Sequence, residues 1–168
     1  MDRDFDEIDY SPAEWTPTSR RVPVRPPWAV GEALFVARCD GCGDCIQACQ
    51  SRILLRGNGG YPELEAMLGG CDFCGECADT CTKDAFSPVE AAPWARVARL
   101  GTGCLTRLGV VCQLCGEVCE DQAIDFPLRA GPGEGALPSV DAATCSGCGA
   151  CLPVCPVQSI SLRERHQL

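Results

Sequence analysis

The chain has 168 residues, of which 16 are cysteine, 18 glycine and 13 proline, against only five Phe, three Trp and two Tyr, and it carries a net charge of −9. The charge argues against nucleic acid as a partner, and no stretch approaches the ~20 apolar residues of a membrane span. Without its cysteines the chain is too poor in apolar side chains to offset its ordering entropy by burial, so crosslinks of some kind are expected.

Residues 1–28 read as an arm that changes sign. Met1 to about residue 19 is acidic, with Asp2, Asp4, Asp6, Glu7, Asp9 and Glu14 against Arg3, and it has no apolar run of an export signal. Arg20-Arg21 resembles a twin-arginine signal, yet Val22-Pro-Val-Arg-Pro-Pro27 stands where an apolar helix belongs. Arg20, Arg21 and Arg25 among Pro23, Pro26 and Pro27 predict an extended segment ending in Trp28. It is either a solvated linker or a docking element anchored by Trp28.

Glu32–Arg38 fits a short strand or a helical turn. The first cysteine run follows, Cys39, Cys42, Cys45 and Cys49. Arg52–Arg56 and Tyr61–Leu64 flank Gly57-Asn-Gly-Gly60, a hairpin signal. Glu63–Leu68 can make a helical turn before the second run, Cys71, Cys74, Cys77 and Cys81. Ala85-Phe86 reads as a strand stopped by Pro88. The hairpin signature is missing between Pro88 and Gly103, which marks a boundary, with Trp94–Leu100 bridging to the third run, Cys104, Cys112, Cys115 and Cys119. Ala123–Phe126 and Leu137–Val140 flank the Gly-rich Gly131–Gly135 as a second hairpin. The fourth run, Cys145, Cys148, Cys151 and Cys155, is closed by a strand at Ser159–Leu162.

Three of the runs are spaced Cys-x2-Cys-x2-Cys-x3-Cys; the third has seven residues between its first two cysteines. That is the ligand spacing of bacterial-type [4Fe-4S] clusters. A tetrahedral zinc site usually takes two separated Cys-x2-Cys pairs, and a disulfide framework belongs to secreted chains, so both are weaker readings. The final cysteines, 49, 81, 119 and 155, recur in an internal repeat. The expected fold is α+β: two tandem bacterial-type 2[4Fe-4S] ferredoxin-like modules of short helices and β-hairpins, at 29–90 and 104–168, joined by a linker at 91–103.

In two-cluster ferredoxins the fourth cysteine of each run ligates the other cluster. On that rule the four clusters take Cys39, Cys42, Cys45 and Cys81; Cys71, Cys74, Cys77 and Cys49; Cys104, Cys112, Cys115 and Cys155; and Cys145, Cys148, Cys151 and Cys119. A nested pairing, first run with fourth and second with third, is the alternative; the two hairpins favour the sequential one. Gly41, Gly43, Gly75, Gly116, Gly147 and Gly149 inside the runs are expected to supply positive φ. Only Cys155 is followed by proline. No catalytic constellation stands out, since the single histidine, His166, is the third-last residue of the chain, and an enzyme is not expected.

Arg25-Pro-Pro-Trp28, Gly59-Gly-Tyr-Pro62, Cys71-x-Phe73-Cys74, Phe86-Ser-Pro88, Trp94, the seven-residue gap after Cys104, Cys145-x-Gly147-Cys148-Gly-Ala-Cys151 and Cys155-Pro-Val157 resemble the NapF family of ferredoxin-type accessory proteins of the periplasmic nitrate reductase system. The resemblance runs from about residue 19 to 160; residues 1–18 and Thr82, where the family is expected to carry proline, depart from it. It implies a cytoplasmic protein that binds the catalytic molybdoprotein subunit of periplasmic nitrate reductase as its cytoplasmic precursor and helps mature it before export. The residues by themselves support a polyferredoxin carrying four [4Fe-4S] clusters. A plain electron carrier between redox partners is the alternative function, and a module that the clusters merely staple is a third.

Overall fold

In the computed structural model, residues 23–126 and 138–165 are described. The acidic arm, Arg20-Arg21, the turn of the second hairpin and His166 lie outside them.

Helix α1 (Glu32–Arg38) settles the ambiguity of that segment: an acidic residue opens it, a basic one closes it, and both suit the helix dipole. It buries Phe35 completely. Helices α2 (Asp44–Ala48), α3 (Glu76–Asp79) and α4 (Leu114–Glu117) each carry the third cysteine of a run on the buried side. Strands β1 (Leu54–Arg56) and β2 (Pro62–Leu64) form the expected first hairpin, with Leu54 opposite Leu64. Pro62–Leu64 is therefore strand, and the turn predicted across 63–68 begins only at Glu65, whose carbonyl accepts from the Leu68 amide. Ala85-Phe86 does not grow into a strand; it makes a single antiparallel bridge between Phe86 and Ala29.

Strand β3 (Arg96–Leu100) falls inside the stretch predicted as linker. It pairs antiparallel over its whole length with β6 (Ile160–Glu164), Leu100 opposite Ile160 and Arg96 opposite Glu164. The bridging segment is thus held at both ends, with an Arg96–Glu164 ion pair at 2.9 Å. The second hairpin keeps a short ladder between β4 (Ile124–Asp125) and β5 (Ser139–Val140).

Two small cores result. One gathers Ile53, Leu54, Leu64 and Ala66 with Cys45 and Cys77; the other gathers Val97, Ala98, Ala123, Ile124 and Ile160 with Cys115, Cys145 and Cys151. Leu152 packs against both. Cysteine occupies core positions where a larger domain would place aliphatic side chains, as the thin apolar composition requires.

Within the proline-rich segment the described residues, 23–28, pack against the rest of the chain, and Trp28 is turned inward rather than offered to a partner. Trp28 is only 6% exposed, its indole N–H donates to the Ala91 carbonyl at 2.8 Å, and its backbone N–H donates to Pro93. Its ring meets Phe73 edge to face. Pro26 and Pro27 are buried beside it. A side chain so enclosed anchors its own chain and presents no face to a partner.

Candidate metal centres

The first, second and fourth runs turn their backbone into the left-handed region near their start. Gly41, Gly43, Gly75, Gly147 and Gly149 have φ between 70° and 90°, as expected for residues that must fold a short loop around a bulky group. Gly116 does not: it is helical within α4, and glycine is needed there because a Cβ would meet the Phe126 ring at 2.6 Å. At Gly147 both reasons combine, since a Cβ would also collide with the Arg96 carbonyl. Phe73 takes at φ 54° the place that Gly41 and Gly147 hold in their runs, and it is held there between Trp28 and Trp94, edge to face with both.

A second regularity follows every run. The residue three positions after the final cysteine, Arg52, Asp84, Gln122 or Gln158, is left-handed in all four cases. At Arg52, Gln122 and Gln158 its amide donates back to the carbonyl of that cysteine. The next residue is buried at Ile53, Ala85 and Ala123, and its amide donates to the cysteine sulfur at Ala123 (3.3 Å to Cys119 Sγ) and Ser159 (3.2 Å to Cys155 Sγ). Four runs of different sequence thus share one backbone turn. Sequence reading missed it because no glycine marks it.

All sixteen thiols are free. Burial pushes the Cys45 thiol up to about 11, and the thiols near it include Cys39, Cys42 and Cys81. Burial raises Cys77 to about 12 and Cys71 to about 11, and the thiols around them include Cys74 and Cys49. Cys104, Cys112, Cys115 and Cys155 line one narrow apolar cavity with Leu100, Leu105, Leu114, Pro156, Val157 and Ile160. Burial lifts Cys115 to about 11 and Cys151 to about 12, the latter beside Cys148 and Cys145. Cys119 packs partly buried in the same core as Cys145 and Cys151. The chain therefore brings Cys81 to the first run, Cys49 to the second and Cys155 to the third.

These sets suit an iron-sulfur cluster. Their donors are all thiols, several are deeply buried, and backbone amides point at sulfur: Phe73 to Cys71 at 3.4 Å and Ala98 to Cys145 at 3.5 Å, besides the two already given. Among the described residues no group of three or more His, Cys, Asp or Glu is arranged to hold a single metal ion. No helix among the described residues is long and apolar enough to cross a membrane.

A family model described as a 4Fe-4S dicluster domain matches residues 110–166. The "Ferredoxin-type protein NapF" of Haemophilus influenzae is 42% identical to this chain over 146 residues, covering 87% of this chain and 82% of that protein. The protein of the same name in Escherichia coli K12 is 38% identical over 144 residues, 85% and 86% of the two chains. The "Ferredoxin-type protein NapG" of E. coli K12 is 30% identical over 171 residues, 84% of this chain and 70% of that one.

Proposed function

We propose a function from the premise that this chain belongs to the NapF family of ferredoxin-type proteins and is an iron-sulfur protein. The reading is a cytoplasmic polyferredoxin with four [4Fe-4S] clusters on sixteen cysteine ligands. They sit in two modules, 29–90 and 104–168, joined by 91–103, and cluster pairing is sequential. The protein assists maturation of the catalytic molybdoprotein subunit of periplasmic nitrate reductase before its export. It is not an enzyme. The observation that carries the reading is the convergence of Cys81 on the first run, Cys49 on the second and Cys155 on the third, in a chain 42% identical to a NapF protein.

When bound, [4Fe-4S] clusters supply one-electron chemistry at potentials tuned by hydrogen bonding and solvent exposure. The chain's own residues set both. Amides of Phe73, Ala98, Ala123 and Ser159 donate to ligand sulfurs and favour the thiolate that iron requires. Leu100, Leu105, Leu114 and Ile160 give the third set an apolar wall. Cys155 is followed by Pro156, which has no N–H to offer.

The test is to incubate anaerobically loaded protein with iron-free reductase precursor and follow iron and electrons together. Movement of iron, or tight binding to the precursor and not to the exported form, supports maturation. Electron exchange with all iron retained and no preference for the precursor supports the plain carrier instead.

A further inference from the structure

The loops of the second and fourth runs touch through three separate contacts. The Cys71 amide donates to the Cys148 carbonyl at 2.8 Å, so two ligand residues of different modules are joined by one hydrogen bond. Immediately before it, Gly70 lies against Ala150, so closely that a Cβ on Gly70 would stand 2.8 Å from the Ala150 Cβ and 3.1 Å from its backbone. Phe73, in the second loop, packs edge to face on Trp94 at 6.0 Å, and the Trp94 indole N–H donates to the Ser146 carbonyl in the fourth loop at 3.2 Å. Within the modules, Cys45 of the first set and Cys77 of the second lie in one core, and Cys115 of the third and Cys151 of the fourth lie in the other. The loops thus touch in the order one, two, four, three, which differs from their order in the chain.

We propose that Gly70-Cys71 and Cys148-Gly149-Ala150 form an electron junction between the second and fourth cluster sites, making the two modules a single relay rather than two carriers on one chain. The proposal rests on the four-cluster reading above. One electron leaves the reduced cluster of one site and reduces the oxidised cluster of the other; no proton or group moves with it, and an external one-electron donor, dithionite in the test, supplies the first electron. The path runs from the Cys71 sulfur through its own backbone and the amide hydrogen bond to the Cys148 carbonyl and sulfur. Glycine at 70 is what allows this approach. Its own backbone has no positive φ, so a side chain there is opposed by Ala150 and by nothing in its own conformation.

The experiment compares fully reduced wild type, Gly70→Val and Ala150→Leu by electron paramagnetic resonance, with iron counted in each. Wild type is expected to carry about 16 iron atoms and a spectrum that cannot be fitted as the sum of two independent spin-coupled pairs. In both variants iron stays at the wild-type level while the spectrum collapses to that sum. Variants that keep their iron and the wild-type spectrum overturn the junction. If both variants lose iron, wild type decides alone: a spectrum fitted by two independent pairs overturns the junction, and one that needs coupling across them supports it. A wild-type chain with iron for only two clusters overturns the four-cluster reading first, and so separates the two failures.

Discussion

Replacing Arg25 with lysine keeps the charge and loses the fork. The guanidinium donates to both Glu32 carboxylate oxygens, at 2.8 and 2.7 Å, and to the Pro62 carbonyl at 3.0 Å, while lying over the rings of Phe35 and Tyr61. The hydrogen bond to Glu32 raises the Arg25 pKa, and the same bond lowers that of Glu32. Because Glu32 is half exposed, the ion pair itself contributes little. The carbonyl bond and the stacking carry the effect, so Arg25→Lys is expected to cost about 1–2 kcal/mol in anaerobic denaturant unfolding of the iron-loaded chain; an unchanged midpoint would refute this account of the residue. Phe73 allows a test with an inverted order. Its left-handed backbone costs roughly 1–2 kcal/mol that glycine escapes, but its ring fills the space between Trp28 and Trp94. Phe73→Ala loses the ring and keeps the strain, whereas Phe73→Gly loses the ring and relieves it. The glycine variant is therefore expected to be the more stable of the two by about 1 kcal/mol, opposite to their usual ranking in regular structure.

At the scale of elements, Gly147 and Gly109 separate two reasons for glycine. Both have positive φ, 75° and 83°, but a Cβ at Gly147 runs into the Arg96 carbonyl of β3, while nothing lies within 4 Å of one at Gly109. Gly147→Ala is expected to push the fourth loop off β3 and to lose about 4 of ~16 iron atoms on purification, while Gly109→Ala keeps its iron and costs only about 1 kcal/mol. Iron analysis of the two variants checks this, and equal iron in both would sink it. The same pair shows what the sequence could reveal. The first hairpin was legible because Leu54 and Leu64 face each other across an adjacent Gly-rich turn, a local signal. Strand β3 was not, since its partner β6 lies about sixty residues away and nothing in Arg-Val-Ala-Arg-Leu announces a distant ladder. Glu32–Arg38 was undecidable because seven residues fit either period; in the fold it is a helix whose charged ends suit the dipole and whose Phe35 is buried. The candidate site was legible in its thiols, which the spacing fixes, but not in its surroundings. Ala98 offers its amide to Cys145 from across the chain, and Trp28 is turned inward by Phe73, Ala91 and Pro93, contacts that only the fold creates.

Over the whole molecule, the buried thiols make stability depend on pH in a way that loading with iron should abolish. Cys45, Cys71 and Cys115 are pushed up to about 11, and Cys77 and Cys151 to about 12, by burial before any other cause. In the unfolded chain they titrate near 8.5. Between about pH 8.5 and 12 the folded, iron-free chain therefore holds protons that the unfolded chain has released, so stability falls as pH rises; below 8.5 both states are protonated and the contribution is complete. The cores have little to set against this, being built partly from those cysteines. Iron takes the thiolates, so in the loaded chain these protons are already gone and the alkaline loss has no source. Removing iron at neutral pH should expand the chain, and raising the pH of what remains should unfold it across that window. Loaded protein should stay compact over the same range, and the iron-free chain should release protons when iron is first added to it in unbuffered solution. Far-ultraviolet circular dichroism and small-angle scattering, measured on both forms from pH 7 to 12, check it. An iron-free chain that stays as compact as the loaded one from pH 7 to 12 would show that the thiols are not buried as neutral groups and that the fold stands without iron.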